Sequence, residues 1–218
     1  MWYWLLKYVL LGPLLRMLGR PKVEGLQYVP RTGPFIVAAN HLAAIDSLYL
    51  ALVLPRRITF IAKQEYFTGA GLRGRIDRWV MTATGQVAVD RSGGSASAAA
   101  LDAAVRILES GGVWGIHPEG TRSPDGRVYR GRTGAIRVAM HTGVPLVPVA
   151  LSGTEQVNPR GRRTWRPGRV RIVFGRPRYF PPLDHTGVRT ATDALMTELA
   201  MRSSRCYVDR YAATFESG

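Results

Sequence analysis

A chain of 218 residues, 46% hydrophobic and 21% charged, has room for one domain around one sizeable core, and its composition excludes a disordered or collagenous protein. Its 30 Lys and Arg against 15 Asp and Glu give +15, and only Lys7, Lys22 and Lys63 are lysines, so the positive field is almost all guanidinium. Such a field favours an anionic partner (nucleic acid, an anionic membrane surface or a phosphorylated substrate) and composition does not choose among them.

The opening MWYWLLKYVLLGPLLRMLGR places Trp2, Leu5, Leu6, Val9, Leu10, Leu14 and Met17 at helical spacing, with Lys7 and Arg16 as its charges. An amphipathic helix with Trp and Tyr at its start suits the surface of an anionic bilayer, and it equally suits packing onto its own domain. No signal peptide is expected, because a leading basic region and a small-residue cleavage site are both lacking. The uncharged run from Tyr8 to Leu15 is far shorter than the roughly 20 residues a spanning helix needs, so no membrane crossing is expected.

After Gly19-Arg20-Pro21 the pattern predicts strands over 23–29 and 34–39, a helix over 45–54, a strand over 58–62, a helix over 72–83 and a strand over 86–89. A helix over 95–109 follows, capped by Ser92 or Ser95, then a strand over 112–116, a helix over 134–141, strands over 146–151 and 170–174, and a helical region over 190–211. Strands alternating with helices predict an α/β fold: a single domain with a mostly parallel or mixed central sheet flanked by helices. Pro145 and Pro148 bracket an apolar strand, which indicates an edge, a first position or a bulge. Residues 158–179 hold eight arginines and no carboxylate, and read as a basic loop running into a strand. The lone Cys206 excludes an intrachain disulfide, argues against a Cys-based metal cluster, and reads as a free buried thiol.

Four short blocks carry candidate chemistry. In NHLAAID (40–46) a histidine and an aspartate stand five apart, a spacing that on one regular helix separates them by about 140°. They can meet only if His41 lies in the turn before the helix and Asp46 in its first turn. Asp46 would then fix the tautomer of His41 and leave the other ring nitrogen as a base. A satisfied structural histidine explains the same pair, and no G-x-S-x-G elbow supplies a protein nucleophile. HPEGTRS (117–123) follows a strand with a carboxylate, a glycine turn, a hydroxyl and a guanidinium, groups that suit a phosphate and a polarised oxygen as well as a charged surface loop. GQVAVDRS (85–92) ends a short strand in Asp90 and Arg91, a phosphate contact or a surface ion pair. No H-E-x-x-H or Cys/His spacing supports a metal site.

Together and in this order, NHLAAID, GQVAVDR, PEGTRS and VPLVPVAL resemble the glycerolipid acyltransferase family, over residues 40–151. The resemblance implies acyl transfer from coenzyme A or acyl carrier protein, with no cofactor, to a hydroxyl of a glycerol phosphate. The acceptor it favours is lysophosphatidic acid, acylated at sn-2, ahead of glycerol 3-phosphate or another polar lipid. It makes His41 the general base and Asp46 its orienter. Backbone donors near Gly120 meet the oxyanion, and Arg91, with Lys63 and Arg122, holds the acceptor's phosphate. Glu119 bonds an acceptor hydroxyl or the turn's own N–H groups, and Thr121 completes the acceptor site. His117 departs from the family, which has an aromatic or aliphatic residue there. The expected division is a membrane-surface helix over 1–20 and an acyltransferase domain over 21–218, peripheral or monotopic on the cytoplasmic face of the cell membrane. A nucleic-acid module is the rival reading of the charge; no signature of one is present, and no nucleic-acid partner is expected. A non-catalytic lipid-surface protein would use the same basic face with the His–Asp pair idle.

Overall fold

The computed structural model describes residues 2–63, 86–89, 96–162 and 164–213, with 68, 71, 74, 75 and 78 between them. The expected helix over 72–83 falls almost wholly outside the described residues, as do Asp90, Arg91, Ser92 and Ser95.

The chain opens with helix α1 (Trp2–Leu5), a π-helical turn (Leu6–Leu10) and α2 (Leu11–Gly19). Then come β1 (Lys22–Glu24), β2 (Phe35–Ala39), α3 (Asp46–Val53), β3 (Ile58–Lys63), β4 (Val87–Val89), α4 (Ala96–Glu109) and β5 (Val113–Ile116). The second half holds β6 (Val128–Tyr129), α5 (Gly134–Thr142), β7 (Leu146–Ser152), α6 (Thr154–Val157), β8 (Arg171–Phe174), α7 (His185–Ser203) and β9 (Tyr207–Val208). Among the described residues seven strands form one mixed sheet in the order β1-β8-β7-β2-β5-β3-β4, in which only the β7–β8 pair is antiparallel. The α/β class and the single flanked sheet are as the alternation of runs predicts.

β2 lies between β7 and β5, and its sequence FIVAA is apolar on both faces because both are covered. Phe35, Val37 and Ala39 join a core with Leu15 of α2 and Tyr49, Leu50 and Leu52 of α3. Ile36 and Ala38 face a second core built from Ala104 and Leu108 of α4, Ile136 and Ala139 of α5, and Leu195, Met196 and Leu199 of α7. Phe35 is fully buried, and its truncation to Ala would cost about 3–5 kcal/mol.

Three expectations need correction. The strand expected over 23–29 stops at Glu24, and a 3₁₀ turn (Leu26–Tyr28) follows. At Gly25 the backbone has φ +75°, and a Cβ would stand 2.2 Å from the Phe174 carbonyl oxygen, so the chain turns where only glycine fits. The C-terminal helix starts earlier and ends sooner than expected: Asp184 caps it by accepting the Gly187 N–H, and Ser204, with φ 55°, stops it. The chain beyond pairs as β9 with β6, a two-stranded ribbon that residues 128–129 are too short to announce by pattern. Cys206 stands in that turn and is exposed, contrary to the buried thiol expected.

Pro148 lies in an interior strand, opposite a bulge. The β7–β8 ladder pairs Val149 with Phe174 and resumes with Leu146 opposite Arg178, three steps along β7 against four on the other side. The Pro148 carbonyl accepts from Gly175, so its missing N–H also faces this side, where the partner strand has already ended. The basic segment is partly neutralised: Arg171 pairs with Glu24, and Arg178 with Glu198.

Candidate active site

The parallel strands β7, β2, β5 and β3 all end on one side, the usual place for a ligand crevice in an open α/β sheet. β2 delivers Asn40 and His41 there, and β5 delivers His117 to Gly120 beside them, because Ala38 pairs with Ile116. Lys63 closes β3 at the same end, and β4 ends at Val89, just before Arg91, which is outside the described residues.

His41 sits in the turn before α3, and Asp46 is the first residue of that helix. His41 Nδ1–H donates to Asp46 Oδ2 at 2.8 Å, and the same oxygen accepts the N–H groups of Leu42 at 2.6 Å and Ala43 at 2.9 Å. The carboxylate is fully buried, while the His41 side chain keeps 19% of its surface exposed. Burial alone would push the Asp46 carboxyl up; the hydrogen bond from His41 and the His41 ring's own electrostatic attraction outweigh it and hold it below its ordinary value. An ionised Asp46 fixes the Nδ1–H tautomer and leaves Nε2 of His41 as a proton acceptor.

The backbone of His41 is pinned from two sides by the 117–123 block. Glu119 Oε1 accepts the His41 N–H at 2.8 Å, and the Ser123 N–H donates to the His41 carbonyl at 2.8 Å. Glu119 Oε2 accepts the Tyr129 N–H at 2.9 Å, so both oxygens of this carboxylate, 2% exposed, are taken by backbone. Burial pushes its pKa up to about 7, against the lowering effect of those two N–H groups. Of the two roles expected for Glu119, the geometry favours holding backbone N–H groups. Gly120 turns the chain at φ +75°, and its own N–H is occupied by the His117 carbonyl at 3.0 Å. Thr121 and Arg122 are partly exposed and take no hydrogen-bond partner among the described residues.

His117 does not reach outward as a cation. Its ring stacks on His41, with centroids 4.0 Å apart and planes 9° from parallel, and its other side faces Phe60 at 5.5 Å. Its Nδ1–H points at the carbonyls of Ala39 and Asn40, at 3.0 and 3.1 Å, so Nε2 accepts from the Ser47 hydroxyl at 3.3 Å. Burial, aided by repulsion from His41, pushes its pKa down to about 3, and it stands neutral beside the partly exposed imidazole of His41.

Three further residues shape the site. Asn40 is fully buried and mimics a backbone unit, donating to the Leu151 carbonyl at 3.0 Å and accepting the Leu151 N–H at 2.7 Å. Ser123 ties the loop with its hydroxyl on the Arg127 carbonyl at 2.7 Å. Arg132 lies over the turn, its Nε 3.0 Å from where a Cβ on Gly120 would be, and its N–H donates to the Pro118 carbonyl at 2.8 Å. Only the placement of Asn40 at a strand end hints at its role beforehand. Among the described residues no group of three or more His, Cys, Asp or Glu is placed to hold a metal.

A family model described as Acyltransferase matches residues 20–152. The chain is 32% identical, over 157 residues, to a chloroplastic 1-acyl-sn-glycerol-3-phosphate acyltransferase of Arabidopsis thaliana, covering 71% of this chain and 42% of that protein. It is 30% identical, over 198 residues, to the 1-acyl-sn-glycerol-3-phosphate acyltransferase alpha of Mus musculus, covering 89% of this chain and 65% of that protein. Its structure is similar to the crystal structure of PlsC, the 1-acyl-sn-glycerophosphate (LPA) acyltransferase from Thermotoga maritima. The TM-score is 0.66 at 28% identity, over 85% of this chain and 73% of that one. The chain thus spans 42% to 65% of the length of these curated relatives.

Proposed function

Because the chain belongs to the acyltransferase family, we propose that it transfers a fatty acyl group from acyl-coenzyme A or acyl carrier protein to the sn-2 hydroxyl of 1-acyl-sn-glycerol 3-phosphate, giving phosphatidic acid. The observation that carries this reading is the partly exposed His41 imidazole, whose Nδ1–H is committed to buried Asp46 and whose Nε2 is left as a base. The names of the two curated relatives and of the solved structure favour lysophosphatidate as acceptor.

In this mechanism His41 Nε2 removes the proton of the acceptor hydroxyl as its oxygen attacks the thioester carbonyl carbon. The new C–O bond pushes the carbonyl electrons onto oxygen. Donors aimed at that oxyanion stabilise it. The occupied N–H of Gly120 favours the open N–H groups of Thr121 and Arg122 for this role. Collapse re-forms the carbonyl, breaks the C–S bond and expels the thiolate, which takes the proton back from His41. Asp46 holds the ring throughout. Arg122, Lys63 and Arg91 bind the acceptor's phosphate, and Glu119 serves by holding the loop that carries His41.

Residues 1–20 act as a membrane-surface helix ahead of an acyltransferase domain over 21–218, on the cytoplasmic face of the cell membrane. Supporting this, Trp2, Trp4, Tyr8, Val9, Leu10 and Met17 are all exposed on one short segment that also carries Arg16 and Arg20. No helix among the described residues is long and apolar enough to cross a membrane.

The decisive assay is release of free thiol from palmitoyl-coenzyme A, run with lysophosphatidate, with glycerol 3-phosphate and with no acceptor. Lysophosphatidate-dependent release that disappears in a folded His41→Ala variant is the expected result. Full activity in that variant would remove His41 as the base, and release only with glycerol 3-phosphate would replace the acceptor.

A further inference from the structure

The Asp46 carboxylate is saturated on one oxygen and bare on the other. Oδ2 accepts three N–H groups, whereas Oδ1 is sealed from solvent with no formed hydrogen bond among the described residues. A buried carboxylate oxygen without a donor is costly, so its neighbours matter. Thr154 supplies the complementary vacancy. Its hydroxyl is fully buried, has no formed hydrogen bond among the described residues, and belongs to the group of side chains that favour the ionised form of Asp46.

The placement has a structural cause. Asn40 bonds Leu151 through both of its amide atoms and locks the end of β2 to the end of β7. Two residues later the chain reverses at Gly153, with φ +83°, where a Cβ would stand 1.9 Å from the Arg169 carbonyl oxygen. Thr154 is the next residue and opens α6. The strand pair that carries His41 therefore also carries Thr154, which is among the groups that act on Asp46.

We propose that Thr154 is a positioning residue of the acyl-transfer site, its hydroxyl donating to Asp46 Oδ1 and completing a Thr154–Asp46–His41 chain. The two groups stand poised, with the bond closing when substrate orders the site, as catalytic hydrogen bonds in free enzymes often do. The donor keeps Asp46 ionised and stops the carboxylate from rotating away from Nδ1 of His41. The other titratable groups acting on Asp46 are His41 and His117, with Glu119 close enough to feel its charge. None of them donates to Oδ1. The inference rests on the acyltransferase reading of the His41–Asp46 pair.

The test compares Thr154→Val, which keeps the shape and removes the hydroxyl, with Thr154→Ser, which keeps the hydroxyl. kcat, KM for both substrates and the pH dependence of kcat/KM are measured in the full chain, with His41→Ala alongside. Thr154→Val is expected to lose kcat by about 10- to 100-fold, the range typical of a supporting partner behind a functional group, with both KM values unchanged. Its acid limb moves to higher pH, because Asp46 without the donor protonates more readily. Thr154→Ser restores both kcat and the limb. If Thr154→Val does not fold, Thr154→Ala takes its place against Thr154→Ser. A folded hydroxyl-free variant with wild-type kcat and acid limb overturns the proposal, as does a loss of kcat that Ser does not rescue. Activity in His41→Ala would instead overturn the acyl-transfer reading itself.

Discussion

The imidazole of His117 lies flat against that of His41, 4.0 Å between centroids, with its Nδ1 on two main-chain carbonyls and its Nε2 on Ser47. Where a second histidine beside a phosphate site invites a reading as a cation, this one is a neutral wall that limits how the base can tilt. Because its pKa is pushed down to about 3, its ring carbons should show no titration by NMR between about pH 5 and 8. His117→Phe retains a flat face against His41 and should keep most activity. His117→Ala should lower kcat by about tenfold, or about 1.4 kcal/mol in barrier. Equal activity in the two variants would show that stacking does nothing for the base.

Glu119 makes a stability prediction with a definite sign. Its folded pKa of about 7 lies above the ordinary 4.5, so the native state holds the proton more tightly than the unfolded chain. The stabilisation is fully present below about pH 4.5 and is lost as pH rises through about 7, by about 3 kcal/mol for this group. Denaturant unfolding of wild type and Glu119→Gln across that window should show the downward slope in wild type and its loss in the variant. Parallel slopes would mean that the carboxylate is ionised in the fold throughout.

Asn40 is predicted to matter for folding more than its place next to the base suggests. Asn40→Ala strands the buried N–H and C=O of Leu151, and about 2–5 kcal/mol of stability should go with them. Urea unfolding measures this directly. A loss below about 0.5 kcal/mol would indicate that the β2–β7 register is held without the clamp.

The exposed face of the N-terminal segment predicts a separable defect. Replacing Trp4, Val9 and Met17 with Ser removes exposed apolar surface and should leave the melting temperature unchanged. Co-sedimentation with anionic phosphatidylglycerol vesicles should fall sharply in that variant. Binding by the wild type should weaken as salt rises, since exposed charges are screened over about 10 Å at 0.1 M. Undiminished binding by the triple-Ser variant would remove this face as the contact.

Much of this architecture was legible beforehand because the signals are local. FIVAA is apolar on both faces, as a central strand of a covered sheet must be, and the helix after it begins at Asp46, within a residue of the pattern's estimate. The five-residue spacing of His41 and Asp46, wrong for one face of a helix, implied a turn between them, and that turn is present. The Acyltransferase match spans the four blocks that carried the resemblance. The misreadings are equally physical. The early end of β1 depends on Phe174, and the β6–β9 ribbon pairs two residues with two others nearly eighty positions away, so no local window contains either cause.

By itself, then, the sequence determined the elements, their alternation and the residue types able to do chemistry, because helix and strand periods and turn residues act over a few positions. The tertiary structure decided what those residues touch. The order β7-β2-β5 alone brings Glu119 to the His41 N–H across 78 positions, and Asn40 to Leu151 across 111. The same packing made His117 a neutral neighbour of the base and gave Glu119 two backbone N–H groups. Partners so distant in sequence leave no periodic trace, since their contact is fixed by strand order and burial.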